Sequence, residues 1–235
     1  VGDVLAPLGG VPTVAPILEA TGMGHALTLR RPLRIETISA GVYAIDGTPT
    51  DCVNIAITHI LKEKPDLIVS GINKAWNLGH DVTYSGTVSG ALEGALLLIP
   101  SIAVSAERVR DDAEFGAAAE AAALVGGAVL ERGMPKFTLL NINVPAGANK
   151  GFRITVQAKR NHVTAVSERI DPRHRAYYWI EEGLNEWEPH DRSDYQAVRD
   201  GYISITPLQP DMTAHSAMPY VEALPLTTTP VGPRR

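Results

Sequence analysis

The strongest constraint on the fold is a repeated order of apolar strands and helices along the first two thirds of the chain. Continuous apolar runs at 66–71 and 138–145 are typical of strands that are covered on both faces. Apolar residues recur at helical spacing at 50–61, and helices are also predicted at 89–98 and 112–132. This alternation predicts an α/β fold with a doubly wound, mostly parallel sheet.

A β-rich extension follows the alternating part. The sequence there reads as strands with few helical stretches between them, at 152–158, 176–180 and 201–208. Glycine and proline residues mark both ends of this part. We therefore predict a core, a β-rich extension and a C-terminal tail, at residues 1–146, 147–208 and 209–235.

Composition narrows the class of partner. The 235 residues carry a formal net charge of −5 without a long basic cluster, which argues against duplex nucleic acid. The apolar run at 95–104 is about half of the roughly 20 residues that a membrane-spanning helix needs, and Pro100 interrupts it. The lone Cys52 excludes an intrachain disulfide and fits a reducing compartment. We expect a cytoplasmic protein with neither a secretory signal nor a membrane span.

The junction between the strand at 66–71 and the next helix is rich in Gly, Asn, Ser and Thr, and it is longer than an ordinary connector. Ligands of open α/β sheets bind beyond the carboxyl ends of strands. Ser85, Gly86 and Thr87 precede a helix that is predicted to begin near Val88, and a helix N-terminus attracts anions. The turn therefore predicts a phosphate site. The alternative is that these residues only cap the helix.

Two amides and a histidine extend the predicted pocket. The oxygen of Asn73 or Asn77 can coordinate a divalent cation or orient a substrate, although Asn is also common in turns. His25 could act at the mouth of the pocket, or it could be a hydrogen-bonded loop residue next to Gly24. Glu93, inside the helix, is expected to satisfy a neighbouring backbone or basic group. Taken together, these residues predict a phosphate and metal pocket.

Six segments carry a resemblance to a known family. They are GTPTDCV (47–53), DLIVSGIN (66–73), NLG-x-D (77–81), YSGTVSGALEGA (84–95), LNINVP (140–145) and DYQAV-x-x-GYISITPL-x-x-D-x-T (194–213). Together they resemble the SurE survival proteins, the metal-dependent 5′/3′-nucleotidases. The resemblance implies a Rossmann-like core, a divalent cation such as Mg or Mn, and hydrolysis of nucleoside monophosphates. It also implies a dimer or tetramer that is built by exchange of C-terminal segments.

The resemblance assigns roles to individual residues. Asn73 matches the family's metal-binding Asn, and Thr21 falls where the family has a metal-ligating Ser or Thr. The turn Ser85-Gly86-Thr87 matches the phosphate-contacting turn. Asp211 and His215 match residues that help to hold the exchanged tail.

One family motif does not occur in this sequence. The family begins with a strand ending in Asn-Asp-Asp-Gly, whose carboxylates are the anionic metal ligands, whereas residues 3–9 here look like the end of the helix that follows that strand. We therefore expect the first core strand to be absent, no general base to be identifiable, and a cation held without carboxylates to bind weakly. The alternative function is that of a catalytically impaired phosphate- or nucleotide-binding oligomer.

Overall fold

The computed structural model describes residues 2–19, 22–107 and 115–226, without the side chains of 161–164 and 181–185. Its strands are β1 (Thr13–Pro16), β2 (Ile35–Ser39), β3 (Val42–Ile45), β4 (Ile68–Asn73), β5 (Ser101–Ala106), β6 (Leu139–Val144), β7 (Phe152–Ile154), β8 (Arg160–Ile170), β9 (Ala176–Trp187) and β10 (Ile203–Leu208). Its α-helices are α1 (Gly2–Leu5), α2 (Pro49–Ile55), α3 (Gly86–Leu96), α4 (Gly116–Arg132), α5 (Asp194–Arg199) and α6 (Met218–Glu222).

The central sheet has the strand order β4-β5-β6-β10-β7. β4, β5 and β6 run parallel, β10 is antiparallel to β6, and β7 is parallel to β10. Every residue of β5 is buried, as expected for a strand covered on both faces. The carboxyl ends of β4, β5 and β6 therefore meet at one edge of the sheet, which is where a ligand site is expected.

Helices cover both faces of this sheet. Ile102 and Val104 on β5 pack with alanines of α4, whereas Ala103, which points to the other face, packs with α3. Alternate residues of one strand thus contact different helices, and α3 and α4 lie on opposite faces. The predicted α/β fold with a doubly wound, mostly parallel and Rossmann-like sheet is confirmed.

A second, smaller sheet has the order β1-β3-β2, in which β1 and β3 are parallel and β2 is antiparallel to β3. α2 packs against β1 and α3, and α3 packs against β4 and β5. The pair α2 and α3 therefore connects the two sheets. α2 begins at a complete capping box, in which Thr48 and Asp51 exchange side-chain to backbone hydrogen bonds.

The part predicted as a β-rich extension is divided between two places. β7 and β10 belong to the central sheet, on the far side of β6 from β5. β8 and β9 instead pair with each other as an antiparallel hairpin. Apolar side chains are exposed on this hairpin, including Tyr178 at 60% and Ile180 at 80%. The predicted boundary near 146 thus falls between strands of the same sheet.

The described helices contain no segment that combines the length and the apolar character needed to cross a bilayer. The longest is α4, with 17 residues. The expectation of a cytoplasmic location stays a prediction.

α3 lies close to the sheet because two glycines face the strands. A Cβ at Gly90 would meet Ser70 Oγ at 2.7 Å, and a Cβ at Gly94 would collide with Ser101 Oγ and with Ile68 Cδ1. Real Cβ atoms do not approach other atoms this closely, so with any larger residue either these side chains or α3 itself must shift. The small residues of GALEGA therefore fix the position of α3, and with it the start of the helix.

We predict that Gly94→Ala destabilises the protein by about 1–3 kcal/mol, because overpacking against Ser101 exceeds the gain in helix propensity. Urea unfolding measures the change. The control is Gly127→Ala on α4, where the added Cβ makes an ordinary contact of 3.6 Å with Leu8. That variant is expected to be neutral or slightly more stable. Equal stabilities of the Gly94 variant and the parent would contradict the close packing of α3.

Candidate functional site

The start of α3 forms one wall of the candidate site. Ser85 is the N-cap, and its Oγ accepts a hydrogen bond of 3.1 Å from the amide of Val88. The helix thus begins at Gly86, two residues before the position that the sequence predicts. The amides of Gly86 and Thr87 precede the first residues with an intrahelical acceptor, so the helix itself leaves them free for an anion.

Burial differs among the three residues of this turn. Ser85 is 8% exposed and Gly86 is buried, whereas Thr87 is half-buried. The helix-cap interpretation therefore applies to Ser85, although its hydroxyl hydrogen is still available as a donor because the cap uses the oxygen as an acceptor. Thr87 presents the most accessible side chain of the turn.

Asn73 is the last residue of β4 and lies half-buried at the carboxyl edge of the central sheet. Its Nδ2 donates to the backbone oxygen of Ala75 at 2.7 Å. This bond uses Nδ2 and leaves Oδ1 as the acceptor of the side chain. The arrangement suits an oxygen that contacts a cation or a donor group of a substrate.

Asn77 holds the connection onto the sheet. Its backbone nitrogen donates to Asn143 Oδ1 at 2.8 Å, and its side-chain Nδ2 donates to Ser105 Oγ at 2.7 Å. Its backbone oxygen accepts from Nδ2 of Asn141 and of Asn143, at 2.8 and 3.1 Å. Asn77 is only 7% exposed, so these bonds lie inside the protein. The structure places Asn77 in a polar network beneath the site.

Asp194 holds the next part of the same connection. One carboxylate oxygen accepts from the amide of Gly79 at 2.9 Å, and the other accepts from Ala158 at 2.9 Å and Tyr195 at 2.8 Å. Asp194 is fully buried, and burial raises the pKa of its carboxyl, against the backbone hydrogen bonds, which lower it. The side chain of Gln157 also donates to the Gly79 oxygen, at 3.0 Å. The connection between β7 and β8 and the first residue of α5 thus fix the loop that precedes α3.

His25 contacts α3, but not at its first turn. Its Nε2 lies 2.6 Å from Oε2 of Glu93, which is about two turns into the helix. The expectation that Glu93 satisfies a neighbouring basic group is confirmed. His25 stays a predicted member of the site, and the structure shows which partner orients it.

The remaining predicted residues lie apart from this edge or outside the described part. Thr21 lies outside the described residues. Asp211 and His215 form an exposed pair at 3.3 Å in the tail. Hydrogen bonds lower the pKa of Asp211 to about 2. The side chain and the amide of Thr213 contribute most to this shift, and His215 contributes less. This pair orders the tail locally, and its role in tail exchange stays a prediction.

A tightly bound divalent cation needs more oxygen ligands than the described residues bring together. Among residues 2–19, 22–107 and 115–226, no group of three or more His, Cys, Asp or Glu side chains is placed to hold a metal ion. Asn73 supplies one neutral oxygen, and a hard dication prefers several oxygens, carboxylates above all. The described residues alone therefore do not fit a tightly bound Mg or Mn ion.

Several residues of the site region were not identified from the sequence, namely Ser105, Asn141, Asn143 and Asp194. A signal for two of them was present, because Asn141 and Asn143 are two positions apart in a continuous apolar strand and so share one face. Buried amides on one face of a strand require partners. Asp194 gave no comparable signal, because its partner Gly79 is 115 positions away.

The chain is similar to known proteins over most of its length. A family model described as "Survival protein SurE" matches residues 3–164. The 5′-nucleotidase SurE of Syntrophotalea carbinolica is 47% identical over 212 residues, which are 90% of this chain and 85% of that protein. The 5′-nucleotidase SurE 1 of Thermus thermophilus is 46% identical over 229 residues, 95% of this chain and 89% of that protein.

The chain is also similar to a solved structure. The crystal structure of the SurE protein from Aquifex aeolicus superimposes with a TM-score of 0.81 at 42% sequence identity. The superposition covers 94% of this chain and 90% of that one. The two chains therefore share the same fold over nearly their whole length.

We predict that Asp194→Ala lowers the free energy of unfolding by about 2–4 kcal/mol, because the buried amides of Gly79 and Ala158 and the half-buried amide of Tyr195 lose their acceptor. Asp194→Asn keeps one acceptor oxygen and should lose less. Urea unfolding of both variants measures the difference. Parent-like stability of the alanine variant would show that this carboxylate does not hold the loop.

Proposed function

The chain belongs to the SurE family, and on that premise we propose that it is a divalent-metal-dependent phosphomonoesterase. Its substrates are nucleoside 5′-monophosphates, and also 3′-monophosphates, which it converts to nucleoside and inorganic phosphate. The observation that carries the proposal is the match to proteins named 5′-nucleotidase SurE, at 47% and 46% identity over 90% and 95% of this chain.

The geometry of α3 supports the binding of the phosphate. The free amides of Gly86 and Thr87 and the partial positive charge at the N-terminus of an 11-residue helix favour an anion. Gly86 has no side chain that would keep a phosphoryl oxygen from the backbone. The hydroxyls of Ser85 and Thr87 add donors on either side. Donors that are fixed before the reaction stabilise the charge that develops on the phosphoryl oxygens during hydrolysis.

The fixed loop between β4 and α3 supports the orientation of the substrate. Asn77 and Asp194 hold this loop through buried hydrogen bonds, so the pocket wall is largely formed before a ligand binds. A preformed wall reduces the entropy that binding must otherwise remove. In this proposal Asn77 shapes the wall from beneath, and Asn73 points its oxygen at the ligand.

The cation is proposed to be Mg or Mn, with Asn73 and Thr21 as ligands from this chain. The described donor set is too small to hold such an ion alone, since it lacks a cluster of carboxylates. What the described residues do is bind and orient the phosphate and stabilise its charge. They do not identify a general base.

A homo-oligomer, either a dimer or a tetramer with exchanged C-terminal segments, is the proposed assembly. The described part of the tail supports it, because apolar side chains there are open to solvent. Met212 is 87% exposed, Tyr220 is 70% exposed and Leu226 is 74% exposed. Such side chains are normally covered, and a second copy of the chain is the proposed cover.

The direct test is release of inorganic phosphate from nucleoside 5′- and 3′-monophosphates by the chain of residues 1–235. We expect release with Mg or Mn and its loss on addition of a chelator. Release that persists in the chelator would contradict the metal dependence. Binding of the nucleotide without any release would favour the alternative, a catalytically impaired nucleotide-binding oligomer.

Asn73→Ala should lower kcat/KM for the nucleotide by at least about tenfold, which corresponds to about 1.4 kcal/mol of transition-state stabilisation. Its effect on unfolding should be smaller, about 1 kcal/mol or less, because one half-exposed hydrogen bond is lost. Asn149→Ala, which removes the same amide from an exposed loop, is the control. Equal kcat/KM for Asn73→Ala and the parent would exclude Asn73 from the site.

A further inference from the structure

Residues 22–28, which we term the bridging segment, connect the starts of α2 and α3. The segment has no helix or strand of its own. Four hydrogen bonds of the described residues hold it: Gly24 N to Tyr84 O at 3.1 Å, His25 Nε2 with Glu93 Oε2 at 2.6 Å, Thr48 Oγ1 to Ala26 O at 2.7 Å, and Thr28 N to Asp51 Oδ1 at 2.9 Å.

The bridging segment passes directly beside the candidate phosphate turn. Gly24 bonds to Tyr84, the residue before the N-cap Ser85. Gly24 has a φ of +55°, and a Cβ at this position would lie 3.1 Å from the oxygen of Thr83. The backbone there is thus in a conformation that favours glycine, close to the loop that leads into α3. The segment forms a wall next to the free amides of the helix.

Little apolar burial holds this wall in place. Met23 is 50% exposed and Leu27 is 49% exposed, so their side chains contribute only part of their possible burial. The position of the segment therefore depends mainly on its hydrogen bonds. Three of these bonds use a backbone group of the segment. The fourth is made by a side chain, that of His25, and its partner Glu93 is a buried charged residue.

Glu93 is a fixed partner for His25. It is 8% exposed, and its second oxygen accepts from Asn54 Nδ2 at 2.7 Å. Asn54 also donates to the backbone oxygen of Thr50, so the carboxylate is held between α2 and α3. A buried carboxylate is unfavourable unless it is hydrogen-bonded, and His25 supplies the partner for the oxygen that Asn54 leaves open.

We propose that His25 is a positioning residue of the phosphate site, which holds the bridging segment beside Tyr84 through its bond to Glu93. The proposal rests on the proposed function, since it concerns the binding of the same phosphate substrate. His25 does not donate a proton or bind the phosphate in this account. The bond to Glu93 keeps the segment in the arrangement that the substrate requires.

The expected effect follows from the population of that arrangement. Without the bond, the bridging segment is in the binding-competent position for a smaller fraction of the time, and the apparent affinity falls by that fraction. For His25→Ala we expect the KM for a nucleoside monophosphate to rise about 10- to 150-fold, the range for loss of a hydrogen bond to a charged group. Once the substrate is bound, kcat should change less than about threefold.

Two amide variants test whether the position of the donor nitrogen determines the bond to Glu93. His25→Gln places an amide nitrogen near the position of Nε2 and should restore most of the KM, whereas His25→Asn places it near Nδ1 and should behave like His25→Ala. The control is His59→Ala, which removes an exposed imidazole from the surface. It should leave KM, kcat and amide exchange unchanged.

Hydrogen exchange provides a readout that does not depend on activity. The backbone amides of Gly24 and Thr28, which donate hydrogen bonds, should be protected in the parent and in His25→Gln, and should exchange about tenfold faster in His25→Ala and His25→Asn. Thermal unfolding of the four proteins shows whether a change is local. If the parent releases no phosphate, the proposed function fails and the exchange data alone decide this proposal.

Three results would overturn the proposal. The first is equal exchange of the Gly24 and Thr28 amides in the parent and in His25→Ala. The second is a large fall in kcat with an unchanged KM, which would make His25 a catalytic residue. The third is indistinguishable behaviour of the Gln and Asn variants, which would mean that the position of the donor nitrogen does not matter.

Discussion

The structure depends on the close contact between α3 and the central sheet. Gly90 and Gly94 let the helix approach β4 and β5 so closely that Ser70 and Ser101 occupy the space of a missing side chain. This contact determines where the helix begins relative to the carboxyl end of β4. The same contact therefore sets both the packing of one face of the sheet and the position of the free amides that form the candidate phosphate site.

Buried polar contacts then fix the connection between β4 and α3. This connection is long and polar, and a loop of this kind would be mobile without anchors. Asn77 joins it to β5 and β6, and Asp194 joins Gly79 to the chain near β8 and α5. Buried hydrogen bonds of this kind stabilise one conformation of the loop. One atom of the network, the buried Oδ1 of Asn141, has no hydrogen-bond partner among the described residues. Burial of Asn77 and Asp194 is unfavourable without these hydrogen bonds, so the bonds hold the loop between β4 and α3 in one conformation.

Much of the fold could be predicted from the sequence, because strands covered on both faces are visible as apolar runs. The strands predicted at 66–71, 138–145 and 201–208 occur as β4, β6 and β10 within two residues of those bounds, and α3 lies within two or three residues of the predicted helix. β2 and β8 were not predicted. Both are largely polar in sequence, and they are defined by their pairing with β3 and β9 rather than by an apolar run. The sequence predicted where in the fold the site lies, but it did not predict which residues contact each other there. The bond between His25 and Glu93 joins residues 68 positions apart, and no local pattern reports such a contact.

The central claim is that the first amides of α3 bind a phosphoryl group. The most direct measurement is a titration of the isotope-labelled protein with inorganic phosphate, in which the backbone amide shifts of residues 22–107 are followed by NMR. The account predicts saturable shifts that are largest at Gly86 and Thr87 and weaker along the rest of α3. Saturable binding that leaves these two amides unchanged and shifts residues elsewhere would contradict it.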